Sequence, residues 1–271
     1  MSSKITVLIP CKNERKNIRL AIESIQSLAD EILIADSGST DGTLDIVRQI
    51  GGCRIIEREY INSADFKNWA IPQATHSWVL ILDADERITP PLANELRGYV
   101  ERNDPQIDAY RIGRDNHYLG YPIRHCGWSN DYVLRLLRRD TCRYRERHVH
   151  AEIDVPRHRT RTCRTRMLHY TTWNSQSYLM KLDRYATWGA LNARDEGHSK
   201  SALGMMLAGP ARFFQLYFLR GGFLDGIPGF HVSMHAAFYA YLKRARRWEM
   251  QHGIAQPDPD AQESQSNAKA A

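Results

Sequence analysis

The chain predicts an α/β fold: a mostly parallel sheet with helices on both faces, followed by a helical, aromatic-rich C-terminal extension. Three observations carry this expectation. Strand-like apolar runs alternate with stretches of helical period from residue 4 to residue 86, which is how successive βαβ units read. Unusual polar clusters (residues 10–14, 36–41 and 83–86) close those strand-like runs, and ligands of open parallel sheets bind beyond the carboxyl ends of the strands. Residues 174–195 and 201–250, by contrast, read as helices rich in aromatic side chains.

The elements follow in order. "KITVLIP" (4–10) is a β-branched run closed by proline, as expected of a buried strand. Asn17 to Leu28 carries Ile18, Ala21, Ile22, Ile25 and Leu28 on one stripe, the mark of an amphipathic helix. "EILIAD" (31–36) is a second strand, and Leu44 to Ile50, stopped by Gly51-Gly52, a second helix. "CRIIERE" is a third, shorter strand, Phe66 to Ala74 a helix, and "SWVLILDADE" a strongly apolar strand ending in three acids. From about residue 110 aromatics, glycines and arginines mix, which suggests strands and loops wrapping over the sheet's edge. No internal repeat is visible.

With 271 residues the chain suits one large domain, or a domain with an appendage, and can bury a sizeable core. The division expected is 1–170 for the α/β part that carries the strand-end clusters, 171–254 for the helical region and 255–271 for a polar, proline-containing disordered tail. Its net charge of +6 favours anionic partners: nucleotides, phosphorylated glycans, acidic lipid surfaces or nucleic acid. The five cysteines are odd in number and form no C-x-x-C pair, which argues against a disulfide framework or zinc site and favours a reducing cytoplasm. The N-terminal apolar stretch is too short for a signal peptide. The stretch around "MMLAGPARFFQLYFLRGGF" is interrupted by Pro210, Arg212 and Gln215, so it makes no uninterrupted span. A soluble or peripheral protein is expected.

The chemistry concentrates at the strand ends. In "LILDADE", Asp83 and Asp85 are two apart on an extended segment and can project to one side. Two such carboxylates without a lysine partner repel unless a cation lies between them, and oxygen ligands of this type suit Mg²⁺ or Mn²⁺ with substrate phosphates. Asp36 leaves its strand in the same way, ahead of a turn whose backbone can approach a ligand. Asp41 reads as a helix cap. Trp128, three residues before Asp131, could stack on a sugar ring or anchor the second half of the fold.

"VLIPCKNE", "IADSGSTDGT" and "LDADE", in that order, resemble the three marks of family 2 glycosyltransferases with the GT-A fold, a Rossmann-like architecture. "FKNWA", "GWSNDYVLRLLRR", "RHVHAEI" and "GGFLDGIPGFHVSMHAAFYAYLKRARRWE" resemble more narrowly the lipopolysaccharide-core β-1,4-glucosyltransferase-like branch. The resemblance spans residues 4 to 250. It implies an inverting, metal-dependent transfer from a nucleotide-sugar, commonly a UDP-hexose, to a glycan or glycolipid acceptor. By the same resemblance Pro10 and Glu14 line the nucleoside pocket, Asp36 reads the base and Lys67 faces the nucleotide. Asp83 and Asp85 hold ribose and the metal, Mg²⁺ or Mn²⁺. The base of the family precedes a helix with an "LRL"-like stripe; "SNDYVLRLL" matches it to Asp131, with Asn130 where a Glu is usual. Glu152 in "HVHAEI", beside His150, is the rival.

Eleven arginines lie between Arg135 and Arg166. They suit either phosphate recognition, as on a phosphorylated acceptor, or a solvated basic face. Residues 229–250 place Phe230, Met234, Ala237, Phe238 and Tyr241 on one helix face and basic residues beyond it, an arrangement able to rest on an anionic membrane. Nucleic acid is not expected as a partner, because no helix-turn-helix, RNP or zinc pattern accompanies the arginines. A nucleotidyltransferase would want a glycine-rich loop where "IPCKNERKN" stands, and a dehydrogenase G-x-G-x-x-G. The alternatives to the transferase are thus a nucleotidyltransferase, which that missing loop disfavours, and a non-catalytic nucleotide-sugar-binding protein of the same fold, which the Asp83/Asp85 pair disfavours.

Overall fold

The computed structural model describes residues 3–145, 153–195 and 202–253. The strands are β1 (Ile5–Cys11), β2 (Glu31–Asp36), β3 (Cys53–Glu57), β4 (Trp78–Ile81), β5 (Glu86–Arg87), β6 (Ala109–Tyr118), β7 (Tyr121–Pro122), β8 (Tyr132–Arg138) and β9 (Thr160–Thr172). The helices are α1 (Ile18–Ile25), α2 (Thr43–Ile50), α3 (Ser63–Ala70), α4 (Pro90–Arg102), α5 (Ser175–Asp195), α6 (Ala202–Phe214) and α7 (Gly226–His252). Among the described residues the strands join one sheet in the order β3-β2-β1-β4-β8-β6-β9-β5, with β7 paired to β6.

The first four ordered strands are parallel, as the alternation of strands and helices predicts. Both faces are buried because the side chains of β1 alternate between two apolar layers. Ile5, Val7, Ile9 and Cys11 pack with α1 and α4, whereas Leu8 packs with Leu33, Ala35 and residues of α3. Each fully buried aliphatic side chain contributes about 1.5–3 kcal/mol of transfer free energy, so these two layers dominate stability. α4, absent from the elements expected above, is delimited by Thr89, whose hydroxyl accepts from Leu92 N, and by Asn103 in the left-handed region.

Beyond β4 the sheet continues rather than being wrapped at its edge. β8 runs antiparallel to β4 and to β6, and β6 runs parallel to β9. Residues 132–138 are therefore an interior strand, and the helix expected after Asp131 is not there. Leu136 enters one apolar layer and Leu137 the other, the period-2 pattern of a strand buried on both faces.

The C-terminal helices dock through a third apolar cluster in which Tyr118 and Ile123 meet Tyr178, Leu182 and Val232. Their closest approach needs glycine. A Cβ on Gly229 of α7 would stand 2.0 Å from the carbonyl oxygen of Gly222, and one on Gly222 would stand 2.9 Å from that of Leu216. All five cysteines are free, four of them buried. No helix among the described residues is long and apolar enough to cross a membrane. The expected tail, 255–271, lies outside the described residues.

Candidate active site

Two loops form the floor of the site's first wall. After β2 the chain turns at Asp36, which is fully buried. Its carboxylate accepts from Gly38 N and Ser39 N, both at 2.8 Å, from Ser39 Oγ at 2.5 Å and from Cys11 Sγ at 3.4 Å. The expectation that Asp36 faces a nucleotide base is thus corrected: its oxygens are spent holding their own turn, in which Gly38 takes φ +88°. The neighbouring loop after β1 is stitched to it. Ser39 Oγ accepts from Asn13 N, Asn13 Oδ1 from Thr40 N, Thr43 Oγ1 from Glu14 N, and Asp41 Oδ2 from Arg15 N, over 2.8–3.1 Å. Asp41 also receives Thr43 N at 3.0 Å, as a residue at the start of α2 should.

The second wall begins where β4 ends. Asp83 accepts from Lys67 Nζ at 3.2 Å and from Arg135 Nη2. Burial works to raise this carboxyl, but Arg135 and Lys67 overcome it and hold Asp83 far below the usual carboxylate range. The premise that the acid pair lacks cationic partners is therefore wrong for Asp83, and Lys67, which also lies over the Tyr144 ring, is engaged there rather than free toward a nucleotide. Glu86 is fully buried; it accepts Arg135 Nη2 at 2.6 Å and Asp83 N at 3.0 Å, and Arg114 Nη1 stands 3.6 Å away. Burial pushes Glu86 up, against the pull of Arg135.

Strand register aligns the rest. In the β9 ladders His169 stands opposite both Glu86 of β5 and Asn116 of β6. His169 Nε2 lies 3.5 Å from Asp85 Oδ2, and its Nδ1 lies 2.5 Å from Asn116 Oδ1. Asn116 Nδ2 donates to Asp131 Oδ2 at 2.9 Å, and Arg114 grips both oxygens of Asp131 at 2.9 Å in a bidentate fork. One chain of charged and polar contacts thus runs from Lys67 through Asp83, Arg135, Glu86, Arg114, Asp131, Asn116 and His169 to Asp85. Burial opposes ionisation of Asp131 and Asp85, but Arg114 for the first and His169 for the second hold each below its usual value. Both are carboxylates at neutral pH.

These walls border a cleft of about 1130 Å³. Of the residues expected at a donor site, Glu14 and Asp85 line it. Burial raises the pKa of Glu14, with Asp85 adding to the effect. Asp36, Asp83, Lys67 and Pro10 do not line it; Pro10 sits inside β1 opposite Ala35. Lys181 and Arg184 of α5 line the opposite side, with Trp173 stacked on Tyr170 at 5.0 Å. Trp128 lines a separate, smaller cavity and packs in the third apolar cluster. Glu152 and His150 lie outside the described residues. The residues missed in sequence, Arg114, Asn116, Arg135 and His169, belong to strands far apart in the chain, and no local motif marks them.

A divalent cation fits this arrangement in part. Among the described residues no three His, Cys, Asp or Glu side chains gather into a cage. Mg²⁺ and Mn²⁺ are commonly held by one or two carboxylates with water and phosphate completing the shell. Asp85 lines the cleft with the His169 imidazole beside it; Asp83 pairs with Lys67 and Arg135 and does not line it.

Part of the arginine-rich segment is spent on structure, whereas Arg157, Arg161 and Arg164 stay exposed. Arg138 lies over Trp78 at 4.4 Å and reaches Ile107 O; Arg159 grips Asp108; Arg166 grips Asp115. These forks clamp β8 and β9 to their neighbours.

The sheet thus presents two knitted strand-end loops and a cleft that Glu14, Asp85, Lys181 and Arg184 line. Residues 6–155 match the glycosyl transferase family 2 model, and the chain belongs to that family. It is 30% identical to the lipopolysaccharide core biosynthesis glycosyltransferase LpsC of Rhizobium meliloti (strain 1021), over 94% of this chain and 96% of that protein. An uncharacterized glycosyltransferase of Rickettsia bellii (strain RML369-C) is 24% identical, over 92% and 88%. Among solved structures, glucosyl-3-phosphoglycerate synthase from Mycobacterium tuberculosis with Mn²⁺, UDP and glucosyl-3-phosphoglycerate is 25% identical at a TM-score of 0.35. That overlap covers 43% of this chain and 44% of the mycobacterial one.

Proposed function

We propose that this glycosyltransferase moves a hexose from a UDP-sugar, with inversion, to a hydroxyl of a membrane-linked glycan such as a lipopolysaccharide core. The observation that carries the reading is the short relay from Asp85, in the cleft, through His169 and Asn116 to Asp131. It ties the cleft carboxylate Asp85 to a second ionised carboxylate, Asp131, through two side chains.

The donor diphosphate lies in the large cleft, where Lys181 and Arg184 face it from α5. Asp85 would hold a divalent cation, which would neutralise charge on the leaving group as a Lewis acid. The acceptor oxygen attacks the anomeric carbon as the bond to the diphosphate breaks, and Asp131 takes the hydroxyl proton. Arg114 and Asn116 orient that carboxylate and keep it ionised. The test is UDP release from a panel of nucleotide-sugars, with Mn²⁺ and with a chelator, in wild type and Asp131→Asn. Release that is insensitive to both the chelator and the substitution would refute the mechanism.

The C-terminal helices support the membrane link. Leu219 and Ile227 are 71% and 75% exposed, and Phe214, Phe218, Phe223 and Leu224 are at least half exposed around them. Arg212 and Arg220 flank this apolar tip. Aromatic and aliphatic groups edged by cations suit an anionic lipid surface. Cosedimentation with anionic vesicles, lost in Leu219→Glu/Ile227→Glu, checks it; equal pelleting of the double variant would contradict it.

A further inference from the structure

A second cavity, of about 450 Å³, adjoins the relay from the other side. Its wall includes Arg114 and Asn116, the two residues that hold Asp131. Along β9, Leu168 lines this cavity and Tyr170, two residues on, lines the large cleft. Arg114 and Asn116 thus reach Asp131 with their polar ends while bordering the second space, and β9 lies along both spaces.

The cavity has two characters. Trp128, Ile123 and Leu168 give an apolar side with one flat aromatic face. Arg114, Arg124 and Arg166 give a cationic side, and two of these are already committed. Arg114 is bound to Asp131, and Arg166 to Asp115 and to the carbonyls of Arg114 and Ser129. Arg124 differs: its backbone N donates to Asp225, but its guanidinium meets no partner among the described residues. A cation left unpaired at the rim of an arginine-lined cavity is placed to meet an anion from outside.

The rim is also fixed to the exposed apolar tip. Asp225 accepts from Arg124 N at 3.2 Å and from His125 N at 2.8 Å, and Arg220 O accepts from Cys126 N at 3.2 Å. An acceptor carried on lipid would reach this mouth first.

We infer that the second cavity is the acceptor subsite and that it selects a sugar bearing an anionic substituent, phosphate or carboxylate. Arg124 meets the anion and Trp128 stacks on the ring. The inference rests on the glycosyltransferase reading for its role, though the binding itself does not.

The test uses glucose 6-phosphate, glucuronate and glucose as probes, titrated calorimetrically into the full chain with and without UDP and Mn²⁺. The anionic sugars should bind about tenfold more tightly than glucose, the worth of one charge-assisted hydrogen bond. Whichever of the two binds tighter identifies phosphate or carboxylate as the group selected. Arg124→Met should erase the preference while leaving UDP affinity unchanged, and Arg124→Glu should reverse it. Trp128→Ala should weaken all three sugars alike. Equal affinities in wild type, a preference surviving Arg124→Met, or competition between glucose 6-phosphate and UDP would overturn the subsite. Failure of UDP to bind, with the sugar preference intact, would instead overturn the donor assignment.

Discussion

The two halves of the sheet treat their charged residues in opposite ways. In the parallel half, β1 to β3, the conspicuous aspartates are spent on loop backbone: buried Asp36 on its own turn, and Asp41, at the edge of the cleft, on Thr43 and Arg15. In the half built by β5, β6, β8 and β9, charged groups from distant strands meet one another, and the relay ending at Asp131 and Asp85 results. The first half makes a stiff floor for a ligand, and the second supplies the groups that act on it. A motif that stands out in a sequence is therefore not by that fact the reacting group; in Asp36 it is the brace.

The contrast can be broken by substitution, beginning where the effect is largest. Asp131→Asn should cut sugar transfer by about 10²–10⁴-fold, the usual worth of a general base, with UDP affinity unchanged in calorimetry. Activity near wild type would move the base elsewhere, Glu152 being the rival. Arg135→Met should leave Glu86 and Asp83 without their shared cation and cost about 3–5 kcal/mol in chemical denaturation, as when one partner of a buried ion pair is removed. A loss below 1 kcal/mol would mean that the network is not structural.

Smaller effects sharpen the comparison. Gly229→Ala, which forces a methyl against Gly222 O, should cost about 1–3 kcal/mol by overpacking. Asp36→Ala should lose about 1–3 kcal/mol through unsatisfied backbone donors yet bind UDP as well as wild type. A large affinity loss in a folded variant would restore the base-reading role. Acid should act most gently. Burial would raise Glu31, but Thr6, Thr75 and Arg54 draw it from 4.5 to about 2. A depressed carboxyl stabilises fully above its unfolded pKa, and the stabilisation is lost as pH falls through the folded value. Midpoints of urea unfolding should therefore fall between pH 4.5 and 2 in wild type, and less steeply in Glu31→Gln.

How much of this was legible depended on distance along the chain. β2 was bounded to the residue, and α1 to α3 within a few, because local period and glycine stops decide them. The strand after Asp131 was misjudged where the family resemblance suggested a helix, although the aromatic and β-branched pair Tyr132-Val133 favours a strand. The partnership of Arg135 with Asp83 and Glu86 spans 52 and 49 residues. No local pattern encodes it; it follows from β8 entering the sheet beside β4. His169 escaped for the same reason, being delivered to Asp85 by the register of β9 on β5.

The central claim, that Asp85 and not Asp83 meets the metal-bound diphosphate, has one direct measurement: calorimetric titration of UDP with and without Mn²⁺ into wild type and Asp85→Asn. The account predicts that Mn²⁺ tightens UDP binding in wild type and has no effect in Asp85→Asn, while both proteins unfold with the same cooperativity. Undiminished enhancement by Mn²⁺ in Asp85→Asn would contradict it.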